Sequence, residues 1–114
     1  MTYEAFDVVV VPFPFTDRTA TKRRPALVLS DSAVFNARVG HSVLAMITSA
    51  EYSDWPLDCT ITDLASAGLA ASSVVRMKIF TLDHRLILRK AGALGAKDRR
   101  MVSRTLRRLL RSVS

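Results

Sequence analysis

Cysteine occurs once in this 114-residue chain, at Cys59, so no intrachain disulfide can staple the fold. A single thiol fits a reducing compartment. The two histidines, His41 and His84, lie in separate segments, and neither Cys-x-x-Cys nor His-x-x-x-His spacing occurs. No metal site is therefore expected. The four glycines, at 40, 68, 92 and 95, form no phosphate-cradling loop, and no cofactor is expected. No strand–turn–helix nucleophile motif of a serine hydrolase is visible. No apolar run approaches the roughly 18 residues of a membrane span, and no N-terminal stretch has the charged start and apolar run of a signal peptide. Repeats, low-complexity tracts and linkers are missing too, so residues 1–114 are read as one domain.

What is present is a chain able to build a core. Hydrophobic residues make up 49% of it, which argues for a folded globule rather than disorder. The net charge is +7, and most of it lies at one end. Residues 96–114 carry seven basic side chains against one acidic, Asp98, whereas the first 95 residues carry ten against nine. Such a basic segment is either a solvated helix face or a surface for RNA, DNA or an acidic protein.

The pattern along the chain is mainly β. Phe6–Val11 reads as a first strand, its β-branched run Val8–Val11 suited to burial on both faces. Pro12 and Pro14 argue against its continuing as a central strand. Pro25–Ser30 reads as a second strand and His41–Thr48 as a third, with a short helical turn within Asp31–Arg38. In Leu57–Ile61, Leu57, Cys59 and Ile61 alternate with Asp58 and Thr60, the period of a half-buried strand. Asp63–Ala71 reads as a loop with one helical turn, and Ser73–Lys78 and Leu86–Leu94 as the last strands. Many short strands at close spacing favour a barrel or sandwich. From Ala96 the period becomes helical: Val102, Leu106, Leu109, Leu110 and Val113 form one apolar stripe, with Gly95 marking the turn before it. The expectation is a β-barrel or sandwich over about 5–95 and a C-terminal helix over about 96–112.

The segment between the first two strands is the most informative. Its polar loop, Thr16–Lys22, leads into Lys22-Arg23-Arg24 and then Pro25. A fixed β-structure thus carries a cluster of cations, which suits a polyanion. Pro25 biases Arg24 toward an extended backbone. Its guanidinium can fork onto two phosphate oxygens and stays charged at any working pH. The alternative for Arg24 is a salt bridge at a strand start. At the end of the third strand, Thr48 and Ser49 place two hydroxyls where either could bond a phosphate oxygen, although a threonine in a strand is ordinary. Phe13 and Phe15 flank Pro14 beside the cations. They either pack into the core or stack on unpaired bases.

These same residues resemble the signature of the MazF/PemK/Kid toxins of bacterial toxin–antitoxin systems. Those proteins open with an acidic residue, a hydrophobic strand and a proline, here Asp7, Val8–Val11 and Pro14. After a loop they continue with Arg-Pro and a hydrophobic strand, here Arg24-Pro25-Ala26-Leu27-Val28-Leu29. The resemblance extends through Ala45-Met46-Ile47-Thr48-Ser49 and Ser72-Ser73-Val74-Val75-Arg76 to the C-terminal helix, nearly the whole chain.

The resemblance implies a small SH3-like β-barrel of the CcdB/MazF type with a C-terminal helix. It implies a sequence-selective, metal-independent endoribonuclease (an mRNA interferase) that leaves 2′,3′-cyclic phosphate and 5′-hydroxyl ends on single-stranded RNA. It further implies a cytoplasmic homodimer and a cognate antitoxin whose acidic tail covers the basic groove. Arg24 and Thr48 fall on its catalytic positions. Phe15, Arg18, Lys22 and Arg23 are the expected RNA-binding residues near the loop; Ser49, Ser72, Arg76 and Lys78 are those beyond it. Departures are visible as well. Lys78 stands where the Kid branch has an aspartate assigned, with the arginine, to acid–base work. Thr19 stands where many relatives have an acidic residue, and Arg18 where Kid has a histidine. Two rivals stand beside this reading: a non-catalytic toxin of the CcdB type, which shares the barrel but from which the Arg-Pro loop end and the Thr–Ser pair discriminate, and a basic nucleic-acid-binding barrel without catalysis, which the Lys78 departure keeps open.

Overall fold

The computed structural model describes residues 2–13, 22–52 and 54–111. Among these, six strands form one antiparallel sheet in the order β4-β5-β3-β2-β1-β6. They are β1 (Asp7–Phe13), β2 (Lys22–Val28), β3 (His41–Ser49), β4 (Cys59–Thr60), β5 (Ser73–Asp83) and β6 (Arg89–Ala93). One wide helical turn, Ser32–Asn36, runs into α1 (Ala37–Val39) between β2 and β3. The helix α2 (Leu64–Ala67) follows β4, and α3 (Ala96–Leu109) closes the chain.

The sheet is buried on both sides. Val8, Leu27, Ala45, Val75 and Met77 face one core with Cys59, Ile61, Ala67, Leu94 and Val102 of α3. Val9, Val11, Ala26, Val28 and Leu44 face a second core, closed by Tyr3, Leu82 and Ile87. Val8 is thus buried on one face of β1 and Val9 and Val11 on the other, with Val10 half-buried.

The sheet curls until its two ends are bridged. α2 follows directly on edge strand β4, yet packs against β6 at the other edge. Two glycines allow this approach. A Cβ on Gly92 would lie 2.3 Å from the Ser66 carbonyl oxygen, and one on Gly68 (φ +71) would lie 2.1 Å from that of Ala91. The curled sheet with a C-terminal helix is the barrel-type fold expected.

Several boundaries differ from the sequence reading, each for a physical reason. β1 continues through Pro12 to Phe13. β6 pairs with β1 only over Asp7–Val10, so beyond that point β1 is an edge and a missing N–H costs no ladder bond. β2 begins at Lys22, so the three cations lie in a strand rather than at the end of a loop. Pro25 is tolerated there because β3 pairs with β2 only over Ala26–Val28. The expected strand Leu57–Ile61 shrinks to Cys59–Thr60, since Leu57 takes a left-handed backbone (φ 66) that no strand can include. β5 is longer than expected, reaching Asp83. β6 starts later because Asp83 accepts a hydrogen bond from the Arg85 N–H and caps a tight turn at His84–Leu86.

In α3 the inward face is Asp98, Val102 and Thr105, with Met101 and Leu106 packed beside them. Leu109 and Leu110 of the expected stripe are instead 39% and 48% exposed, and Val113 lies outside the described residues. Asp98 ties the helix to the β4–α2 connection. Its carboxylate accepts bonds from the Thr62 N–H (3.1 Å), the Thr62 hydroxyl (2.8 Å) and the Asp63 N–H (3.0 Å).

Candidate nucleic-acid interface

The register that builds the sheet also opens a cavity in it. β2 and β3 pair through Ala26↔Met46 and then separate. Two residues further along each strand stand Arg24 and Thr48, on the same face as that last pair. With no ladder between them, a cavity of about 360 Å³ opens, lined by Arg24, Thr48, Met46, Phe13, Arg76 and Lys78. Its apolar lining is Phe13, Met46, Ile47, Ile79 and Phe80, of which Phe80 packs against the second core, and its polar lining is mostly cationic. Arg24 is half-buried, with its guanidinium carbon 5.1 Å from the centre of the Phe13 ring. Such stacking desolvates one face of the cation and leaves its edge for an anion.

β5 supplies the opposite wall through an irregularity. Met46 pairs with Arg76 while Ala45 pairs with Ile79, which leaves Met77 and Lys78 as a bulge. Met77 turns into the first core, and Lys78 is exposed on the cavity side with Arg76. Lys78 Nζ lies 4.6 Å from the centre of the Trp55 ring, and the Arg76 guanidinium carbon 5.7 Å from it. Arg76 also makes a paired contact with Asp58, Nε–Oδ1 3.3 Å and Nη2–Oδ2 2.9 Å. The hydrogen bonds that Arg76 donates to Asp58 raise its pKa above the ordinary value, so this guanidinium holds its proton. Arg76 can stabilise charge but not donate a proton.

The structure therefore brings Arg24, Thr48, Arg76 and Lys78 together and separates other expected residues from them. Ser49 points to the opposite face from Thr48, and its hydroxyl accepts from the Glu51 N–H at 3.3 Å. Only one hydroxyl of the Thr–Ser pair faces the cavity. Ser72 is exposed just beyond the β3–β5 ladder and does not line the cavity. Arg23 faces away, into a second cavity of about 350 Å³ shared with Arg89 and Pro25. Lys22 is exposed on the cavity side of β2, paired with Phe13. Phe15 and Arg18 lie outside the described residues.

Phe13, which the sequence left as either a core or a base-stacking residue, forms a wall and is 38% exposed. Two further site residues were not picked out by the sequence. Trp55 and Asp58 come from the segment between β3 and β4. A lone tryptophan in a polar loop was the one available signal; nothing local connected Asp58 to Arg76. Among the described residues, no group of three or more His, Cys, Asp or Glu side chains could hold a metal ion. No helix among them is long and apolar enough to cross a membrane. The basic face of α3 forms a separate surface: Arg104, Arg107, Arg108 and Arg111 line a cavity of about 640 Å³ with Leu57.

Comparison with known proteins agrees with this fold. Residues 4–110 match the family model of the PemK-like, MazF-like toxins of type II toxin–antitoxin systems. None of the curated proteins compared matches. Among solved structures, MazF in a MazE–MazF complex from Deinococcus radiodurans superposes with a TM-score of 0.75 at 25% identity, covering 96% of this chain and 97% of that one. An endoribonuclease in complex with its cognate antitoxin from a mycobacterial species gives 0.73 at 15% identity, covering 96% and 93%. The Mycobacterium tuberculosis toxin MazF-mt6 gives 0.70 at 19% identity, covering 90% and 93%.

Proposed function

This chain belongs to the PemK-like, MazF-like toxins of type II toxin–antitoxin systems, and from that premise we propose that it is an endoribonuclease that cuts single-stranded RNA at the Arg24–Thr48 cavity. The observation that carries the reading is the convergence of Arg24, Thr48, Arg76 and Lys78 on one cavity. In the proposed reaction the ribose 2′-oxygen loses its proton and attacks the adjacent phosphorus. The bond from phosphorus to the 5′-oxygen breaks, and that oxygen takes up a proton. The products are a 2′,3′-cyclic phosphate and a 5′-hydroxyl. Between them the phosphorane carries extra negative charge on its equatorial oxygens. Fixed donors aimed at that charge lower the barrier; loss of one such donor typically costs about 2.7–4 kcal/mol.

Each residue has a chemical part in this proposal. Arg24, backed by Phe13, supplies a forked donor pair, and the Thr48 hydroxyl a neutral donor from the facing strand. Arg76 adds permanent charge, and Lys78 holds a phosphate of the RNA chain as an exposed point charge. The reaction is proposed to need no metal ion, since the cations of the chain itself can neutralise the phosphorane. The protein acts in the cytoplasm as a homodimer, its exposed Leu109 and Leu110 contributing to the contact. An antitoxin with an acidic segment restrains it by competing with RNA. The solved MazE–MazF complex and the mycobacterial complex support such a partner.

A long RNA incubated with the purified protein in excess EDTA, with the new ends mapped, tests the chemistry. Cleavage with cyclic phosphate ends is expected, and Arg24→Ala and Thr48→Ala should each fold normally and lose most of it. Strict dependence on Mg²⁺ would sink the mechanism. One observation favours a second reading. Among the described residues, no carboxylate or imidazole lines the cavity to take the 2′-hydroxyl proton. A barrel that binds RNA without cutting it would give binding and intact RNA in the same experiment.

A further inference from the structure

We infer that Asp58 is a positioning residue of this site: it clamps Arg76 against the cavity from the neighbouring strand, so that Arg76 acts only as part of an Asp58–Arg76 unit. The inference rests on reading the cavity as the RNA-cleaving site. The register makes the clamp. Cys59 pairs with Val75 and Thr60 with Val74, so the next pair along the same ladder is Asp58 opposite Arg76. Opposite residues of antiparallel strands share a face, and here the pair has opposite charges. β4 has only two residues, yet its position sets the carboxylate directly across from the guanidinium.

Both ends of the clamp are held. Asp58 follows Leu57 in its left-handed conformation, and its N–H donates to the Trp55 carbonyl at 3.3 Å. The carboxylate is thereby fixed by a turn on one side and a ladder on the other. Its side chain is 6% exposed and does not line the cavity, whereas Arg76 does, so substrate in the cavity meets the arginine and not the aspartate. Arg76 needs such a restraint. It sits immediately before the Met77–Lys78 bulge, where β5 loses its ladder to β3, and a long side chain there has many rotamers to lose. Two parallel bonds to one carboxylate fix both direction and plane of the guanidinium. The same orientation brings it over Trp55 beside Lys78, so that turn, clamp and bulge form one continuous wall. A free Arg76 would keep its charge but spread it over many positions, and charge stabilisation depends on the donor already being in place.

The test uses the full-length protein with single-turnover cleavage of RNA, RNA affinity measured separately, and the Arg76 Nε–H signal in NMR. Asp58→Asn should slow cleavage of bound RNA about 10- to 100-fold, the range for a lost charged hydrogen bond, while RNA affinity changes less than about threefold. Asp58→Glu should recover much of the rate. The double variant Asp58→Asn/Arg76→Gln should be no slower than Arg76→Gln alone, because the aspartate acts through the arginine. The Arg76 Nε–H should be protected from exchange in the wild type and lose protection in Asp58→Asn. Additive losses in the double variant, or an unchanged rate in Asp58→Asn from a wild type that cleaves, would overturn the inference. A wild type that binds RNA without cutting it would overturn the reading of the site instead. The exchange of Arg76 Nε–H would still decide whether Asp58 holds it.

Discussion

Removing the Asp98 carboxylate should loosen the C-terminal helix from the barrel, and the size of the loss can be worked from its contacts. Asp98 is 2% exposed, lies in the first turn of α3, and accepts from the Thr62 N–H, the Thr62 hydroxyl and the Asp63 N–H. A hydrogen bond to a charged group contributes about 1.5–3 kcal/mol, and an acidic residue at a helix N-terminus about 0.3–1 kcal/mol. The losses do not simply add, because Thr62 and Asp63 are exposed and water can replace part of what they lose. Asp98→Ala should therefore cost about 2–4 kcal/mol. For a domain of this size that lowers Tm by roughly 8–16 °C.

The pH dependence has a definite sign. Burial by itself would raise the Asp98 pKa, but the hydrogen bonds from Asp63 and Thr62 outweigh it and hold it below the ordinary carboxylate value. A depressed folded-state pKa contributes stability above the unfolded value of about 3.9, and that contribution is lost as pH falls through the folded pKa. The gap between wild type and Asp98→Ala should thus be largest near neutral pH and narrow in acid. Chemical denaturation followed by circular dichroism at several pH values measures it. An equal gap at neutral and strongly acidic pH, or a Tm near neutrality within about 2 °C of wild type, would refute the reasoning.

Other outcomes follow from the same structure. Lys78→Ala should weaken RNA binding and flatten its log–log salt dependence by roughly 0.7, the single-strand value per phosphate contact, while bound RNA is cut at nearly the same rate; salt titrations with single-turnover assays check both. Gly92→Ala would force a Cβ to within 2.3 Å of the Ser66 carbonyl oxygen, so α2 must part from β6. A loss of about 3 kcal/mol is expected by urea denaturation, the upper part of the range for overpacking. Cys59 is buried; its burial raises the thiol pKa and nearby Asp58 adds to this, against a lowering hydrogen bond with Thr105. It should resist alkylation in the native protein and react readily once unfolded, as thiol labelling would show.

The sequence by itself determined the elements whose signals are local. The β-branched run of β1, the apolar β3, the helix that starts at Ala96 and the turn at Gly95 can each be read from spacing and composition, because period and punctuation are properties of neighbouring residues. Arg24 and Thr48 stood out through the family motifs that carry them, and the structure brings both to one cavity. Tertiary structure alone decided which strands run side by side, and most of the site follows from that. Proline in β1 and β2 depends on where the neighbouring strand stops, which no local window contains. Thr48 and Ser49 are equivalent in sequence until the sheet assigns them opposite faces. The cavity exists because β2 and β3 separate after Ala26 and Met46, and the bulge at Met77–Lys78 turns Lys78 toward it. Asp58 was read only as the polar side of a short strand. Its partner lies 18 residues further along the chain, and only the register between β4 and β5 brings the carboxylate to 2.9 Å from Arg76. Pairing across a sheet is set by the summed burial of whole strands, so a single polar residue carries no local mark of the one it will face.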